Sequence, residues 1–152
     1  MILISKIGRD PEESNEPVAK ALQKYFKVFF VPAILGAAAT SAVGAMRDGD
    51  IIFLENLQRD QREIASDPSF ASELAEMCDI YVNDAFPSAH RESATMVLLP
   101  TLRPSYAGLL MCEEVEMLSA GLAPEKPSLA ILGGAKFETK APLIDKLLEV
   151  YD

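Results

Sequence analysis

The chain has too few cysteines for a disulfide framework and no apolar run long enough to cross a bilayer. Cys78 and Cys112 are the only two, and their separation is not a metal-ligand spacing. Cys78 falls on the apolar side of a predicted helix, so a buried free thiol is expected there. Basic residues are also scarce, with 14 Lys and Arg against 23 Asp and Glu and a formal net charge of -9. That balance speaks against a nucleic acid or an anionic membrane as partner for the surface as a whole, though not against a local basic pocket. A signal peptide is not read at the amino end either, because Lys6 and Arg9 follow a very short apolar run. A reducing, cytoplasmic location fits these absences. What is present is an ordinary globular composition, 49% hydrophobic and 24% charged over 152 residues. One domain of that length buries a substantial core.

Short, continuously apolar runs alternate with longer amphipathic ones. Ile2-Leu3-Ile4, Val28 to Val31, Ile51 to Leu54, Ile80-Tyr81-Val82, Val97-Leu98-Leu99 and Leu129 to Leu132 are predicted as strands. They do not alternate polar with apolar, as expected for a parallel sheet covered on both faces. Val18, Ala21, Leu22, Tyr25 and Phe26 make a helical stripe, with Asn15 as cap and Pro17 in the first turn. A second helix is predicted from Asp67-Pro68, with Phe70, Leu74, Met77 and Cys78 on one side. A third follows Gly133-Gly134, with Pro142 near its start and Leu143, Ile144, Leu147, Leu148 and Tyr151 aligned. Tyr106 to Leu118 is predicted helical, with Gly108 counting against it. The alternation implies a doubly wound α/β fold, a mostly parallel sheet with helices on both faces in three layers.

Ligands of open α/β sheets bind beyond the carboxyl ends of the strands, so the residues following each apolar run matter most. Ser5-Lys6-Ile7-Gly8-Arg9 follows the first, Glu55-Asn56-Leu57-Gln58-Arg59 the third, and Asn83-Asp84 through His90-Arg91 the fourth. Gly133-Gly134-Ala135-Lys136, and then Lys140, follow the last. Basic groups gathered along one edge of an acidic chain point to an anionic, phosphorylated ligand. Taken singly, each motif has a plainer account. Gly8 and Gly133-Gly134 suit ordinary turns, Glu55-Asn56 and Asn83-Asp84 suit caps and turns, and His90 suits a structural role. Lys136 and Lys140, one helical turn apart, also suit a solvated face. Their shared location at strand ends is what favours a site.

These segments resemble phosphoglycerate kinases. Ser5-Lys6-Ile7-Gly8-Arg9 is similar to that family's Ser-His-Leu-Gly-Arg, and Leu54-Glu55-Asn56-Leu57 to its Leu-Glu-Asn-Leu-Arg. Val82-Asn83-Asp84-Ala85-Phe86 with Ala89-His90-Arg91 resembles its Val-Asn-Asp-Ala-Phe-Gly-Thr-Ala-His-Arg block. Ile131-Leu132-Gly133-Gly134-Ala135-Lys136 with Lys140 is similar to its Leu-Gly-Gly-Ala-Lys-x-x-x-Lys. The resemblance implies phosphoryl transfer between 1,3-bisphosphoglycerate with ADP and 3-phosphoglycerate with ATP, magnesium accompanying the nucleotide. It implies that residues 1–152 are an incomplete amino-terminal, phosphoglycerate-binding domain, without the family's first strand and without the nucleotide-binding domain.

Position by position, the resemblance assigns Arg9 and Arg91 to clamping the phosphoglycerate, with His90, Lys6, Gly8 and Gln58 in the same pocket. It assigns Lys136 to the transferring phosphoryl group, as the catalytic residue, and Gly133, Gly134 and Lys140 to the nucleotide phosphates. Four positions depart from the family pattern. Lys6 stands for a histidine, Gln58 for an arginine, Ser93 for a second histidine and Pro87 for a glycine. Two functions are therefore expected from these residues. One is a kinase whose chain is partial and inactive alone; the other is a non-catalytic anion-binding or interaction domain derived from it.

Overall fold

The computed structural model describes residues 1–8, 10–133 and 141–151. The chain forms two compact units, Met1–Asn83 with Pro87–Tyr106, and Asp84–Phe86 with Ala107–Asp152.

In the first unit, three of the predicted apolar runs become the strands of one sheet, β1 (Ile2–Leu3), β2 (Val28–Val31) and β3 (Ile51–Leu54). They are parallel, in the order β1-β3-β2, with Leu3 and Phe30 both level with Phe53. Helix α1 (Glu16–Leu22) lies between β1 and β2 in the chain, and α2 (Ala37–Gly44) between β2 and β3. Successive side chains of a strand point to opposite faces. Ile52 and Leu54 accordingly pack with Val31 and with Ala39 of α2. Phe53 packs with Val28 and with Ala19 of α1. One helix therefore covers each face, and the three-layer α/β arrangement read from the sequence is present. The central strand is buried on both faces, whereas edge strand β2 leaves Phe29 exposed.

Asn15 precedes α1 as expected, but its side chain makes no cap bond. Instead its Nδ2 donates to the carbonyls of Ser5 and Leu54, both at 3.2 Å, tying the helix start to two strand ends. After β3, a 3-10 turn (Leu57–Arg59) leads into the short helix α3 (Gln61–Ile64), which Asp60 caps through the Arg62 N–H. Helix α4 (Pro68–Ala75) starts as predicted, the Asp67 carboxylate accepting from Ser69 N at 2.7 Å and Phe70 N at 3.4 Å. Phe70 and Leu74 pack there with Tyr81 of β4 (Tyr81–Asn83), Ala94 and Leu99. Cys78 lies beyond the end of α4 and is half-buried rather than buried, a free thiol whose pKa burial pushes up.

Three predicted elements differ. Val97-Leu98-Leu99 is not a strand: Ala94–Leu98 is a π-helical turn that runs into α5 (Leu99–Leu102). A short apolar run cannot by itself distinguish a buried strand from a buried helix, and Pro100 suits a helical first turn. The predicted helix at Tyr106 begins later. Ser105–Ala107 is β5, beside β4, and α6 is Leu109–Gly121. In the second unit Gly108 is the residue before α6, and the Asp84 side chain occupies the place a Cβ would take there. Asp84 Oδ1 accepts from Met111 N at 2.8 Å, so the aspartate closes the helix start that Gly108 leaves open. The third difference is Leu129 to Leu132, which pairs in no strand among the described residues and leaves Leu129 and Ile131 78% and 88% exposed. Helix α7 (Ala141–Leu148) falls where the third helix was expected, and Tyr151 Oη donates to the Gly121 carbonyl at 2.6 Å.

Candidate functional site

Two buried polar residues after β3 fix the shape of the loop that follows β1. Asn56 Oδ1 accepts from Ile7 N and Gln58 N, while its Nδ2 donates to the carbonyls of Ile7 and Glu13. Glu55 Oε1 accepts from the N–H groups of Asn15 and Asn56, and Oε2 from the Ser14 hydroxyl and Arg59 Nη1. Burial alone would push the Glu55 carboxyl up. The backbone N–H groups, the hydroxyl and the guanidinium outweigh it and hold the pKa below the usual glutamate value. The Glu55-Asn56 pair thus acts as scaffold rather than as ligand contact.

Arg59 belongs to the same scaffold. Beyond Glu55 it donates to the carbonyls of Pro11 at 3.1 Å and Glu12 at 2.9 Å, so it does not stand in for a cation at Gln58. Gln58 donates from Nε2 to the Gly8 carbonyl at 3.0 Å. Gly8 takes φ +63°, a left-handed conformation open to glycine without strain, and a methyl there would fall on the Glu13 carboxylate.

At the carboxyl ends of the strands this scaffold borders a solvent-open cleft of about 310 Å³. Lys6 comes from the loop after β1, Gln58 from the turn after β3, Glu63 and Ile64 from α3, and Arg91, Glu92 and Ser93 from the segment after β4. Three chain segments far apart in sequence converge as their strand-end positions predict. Among the described residues neither Lys6 nor Arg91 forms an ion pair. Burial lowers the Lys6 pKa, the Arg91 charge lowers it further, and Glu63 opposes both. Glu63 is only a partial counterion. Its two carboxylate oxygens accept from Thr95 N at 3.0 Å and Thr95 Oγ1 at 2.6 Å. Two cations that repel each other across an open cleft are favourable for an anion entering between them.

Of the residues singled out in the sequence, Lys6, Gln58 and Arg91 are brought together here. Gly8 sits behind them through its bond to Gln58. His90 is exposed and does not line the cleft. Gly133 belongs to the second unit and is exposed. Arg9, Gly134, Lys136 and Lys140 lie outside the described residues. Glu63, Glu92 and Ile64 line the cleft without having been singled out. Glu63 could have been suspected only from its place in the short helix that follows the turn after β3. Among the described residues no group of three histidine, cysteine or acidic side chains comes together to hold a metal ion. Nor is any helix among them long and apolar enough to cross a membrane.

A family model described as phosphoglycerate kinase matches residues 1–152. Phosphoglycerate kinase of Methylorubrum extorquens is 43% identical over 160 aligned positions, covering 100% of this chain and 40% of the relative. That of Bradyrhizobium diazoefficiens is 44% identical over 148 positions, covering 95% of this chain and 37% of the relative. The structure of phosphoglycerate kinase from Coxiella burnetii is similar with a TM-score of 0.84 at 33% identity, over 100% of this chain and 40% of that one. The enzyme from Pyrococcus horikoshii gives a TM-score of 0.87 at 25% identity, over 97% of this chain and 40% of that one. The chain thus spans about 40% of the length of the relatives it matches.

Proposed function

The chain belongs to the phosphoglycerate kinase family, and from that premise we propose that the cleft between Lys6, Gln58 and Arg91 binds the anionic end of a phosphoglycerate. The observation that carries this reading is the pair of cations, Lys6 and Arg91, that meet at the strand ends without an ion pair among the described residues. Arg91 supplies a planar fork for phosphate or carboxylate oxygens, and Lys6 supplies a point charge. In the reaction, a carboxylate oxygen of 3-phosphoglycerate takes the terminal phosphoryl group of ATP, and the bond from that phosphorus to the ADP oxygen breaks. The reverse transfer runs from 1,3-bisphosphoglycerate to ADP. The part of these residues is to hold and orient the acceptor, which is the main catalytic demand of phosphoryl transfer.

Arg9 is assigned to the same anion and Gly8 to shaping its loop, while His90, which does not line the cleft, is assigned no contact with the anion. Lys136 is assigned to the transferring phosphoryl group, and Gly133, Gly134 and Lys140 to the nucleotide. ATP or ADP with magnesium is a co-substrate supplied through a nucleotide-binding domain, and the location is cytoplasmic. By themselves the 152 residues, which span about 40% of the length of the relatives they match, are proposed to bind phosphoglycerate without turning it over.

Titration with 3-phosphoglycerate followed by amide NMR tests the reading. Shifts centred on Lys6, Gln58 and Arg91 are expected, and an unchanged spectrum at millimolar ligand would overturn it. A coupled assay of NADH consumption with 3-phosphoglycerate and ATP tests turnover, and a rate near that of an ordinary kinase would contradict the second half of the proposal.

A second reading, a non-catalytic anion-binding domain, is favoured by Gln58, whose side chain bonds Gly8 where the family has a cation. Gln58→Arg separates the two. A gain of phosphoglycerate affinity supports a substrate site weakened by substitution, and no change supports a site for a different anion.

A further inference from the structure

Ser93 lines the cleft beside Arg91 and Glu92, is only 6% exposed, and has a covered Oγ with no hydrogen-bond partner among the described residues. It stands before the Ala94–Leu98 turn, where a serine hydroxyl ordinarily accepts from the second or third N–H of the helix. Both are taken. Glu63 Oε2 accepts from Thr95 N, and the Ser93 carbonyl accepts from Met96 N at 2.9 Å. The hydroxyl is therefore displaced from capping and left buried without a partner, which is unfavourable unless something else supplies an acceptor. The cleft is where an acceptor arrives, because the Lys6 and Arg91 cations border it.

We propose that Ser93 is a specificity-determining contact, its hydroxyl donating a hydrogen bond to an oxygen of the anion held between Lys6 and Arg91. The inference rests on the reading of the cleft as an anion site. Lys6 and Arg91 supply charge, which attracts any anion. The hydroxyl adds direction, favouring an anion with an oxygen turned toward the Ala94–Leu98 turn. Turning toward the ligand breaks no bond, since the hydroxyl has none to lose.

The test measures dissociation constants for 3-phosphoglycerate and for inorganic phosphate by calorimetry, with thermal melting of the ligand-free protein, on wild type, Ser93→Ala, Ser93→Cys and Arg91→Ala. Ser93→Ala should melt at or above the wild-type temperature without ligand and bind about tenfold more weakly, the cost of one hydrogen bond to a charged group. Ser93→Cys, of similar size and a weak donor, should weaken binding too and carries the test if the alanine variant does not fold. Wild-type affinity in both Ser93 variants, with binding lost in Arg91→Ala, overturns the role of Ser93 and leaves the cleft reading standing. A wild-type chain that binds neither probe overturns both.

Discussion

Charged side chains in the first unit fall into two groups by what they bond. Arg59 fastens Glu55, Pro11 and Glu12; Arg62 joins Asp60 and Glu73 at 2.7 and 2.8 Å; Arg103 donates to the carbonyls of Ala75 and Cys78. Arg91 and Lys6 have no such partners among the described residues, and that contrast separates scaffold cations from those open to a ligand. Glu55→Gln should destabilise the protein by about 3 kcal/mol at neutral pH, because it removes a buried charge that four donors face. The depressed Glu55 pKa means its contribution is complete above the ordinary glutamate value of 4.5 and is lost as pH falls through the depressed value. Urea unfolding at pH 7 and at pH 3 should therefore show the gap between variant and wild type closing in acid. Lys6 runs the other way. Its pKa is lowered, so the ammonium detracts from stability below the depressed value, and that penalty fades as pH rises toward 10.5. Lys6→Gln should raise the melting temperature at pH 7 while weakening anion binding. Lys6 and Arg91 were legible in the sequence as basic groups after strand ends, and Gln58 only through the family resemblance, as a departure from an arginine. Ser93 was legible only as a departure from the family pattern, because its lack of a partner arises from Glu63, far upstream in the chain.

At the scale of elements, β1, β2, β3 and the start of α4 were readable because local chemistry agrees with tertiary packing there. Asp67 caps, Pro68 leads, and Phe70 and Leu74 point one way. Helix α2, by contrast, reads Ala-Ala-Ala-Thr-Ser-Ala-Val-Gly, with too little contrast between its faces to announce a helix, and only Ala39 in it is buried. The segment Ala94–Leu98 misled for a different reason. Its apolar residues pack on α4 as a helical turn, anchored by the Thr95 bonds to Glu63. Phe70 is fully buried in the cluster that joins α4, β4 and α5, so Phe70→Ala should cost about 3–5 kcal/mol in a denaturant titration. A loss below about 1 kcal/mol would mean that this cluster does not carry the stability of the first unit.

Over the whole molecule, the α/β class followed from alternation of apolar runs with helical stripes. The two compact units are not announced by any linker, since their boundaries pass through Asn83-Asp84, Phe86-Pro87 and Tyr106-Ala107 without a change in composition. Their burial differs. Strand β3 is buried from Ile52 to Leu54, whereas α6 holds no buried residue. Hydrogen exchange should be slowest in β3 and α4 and markedly faster in α6, and equal protection across these elements would contradict the burial pattern. Lys6 and Arg91 are the proposed anion site for phosphoglycerate at the strand ends. This assignment is tested most directly by the dissociation constant of 3-phosphoglycerate for the wild-type chain and for Arg91→Ala. Measurable binding to the wild type and at least about a tenfold loss in the variant are expected, with a melting temperature no lower than wild type, since the exposed Arg91 side chain forms no ion pair among the described residues and its charge repels Lys6. Equal affinity in the two proteins would contradict it.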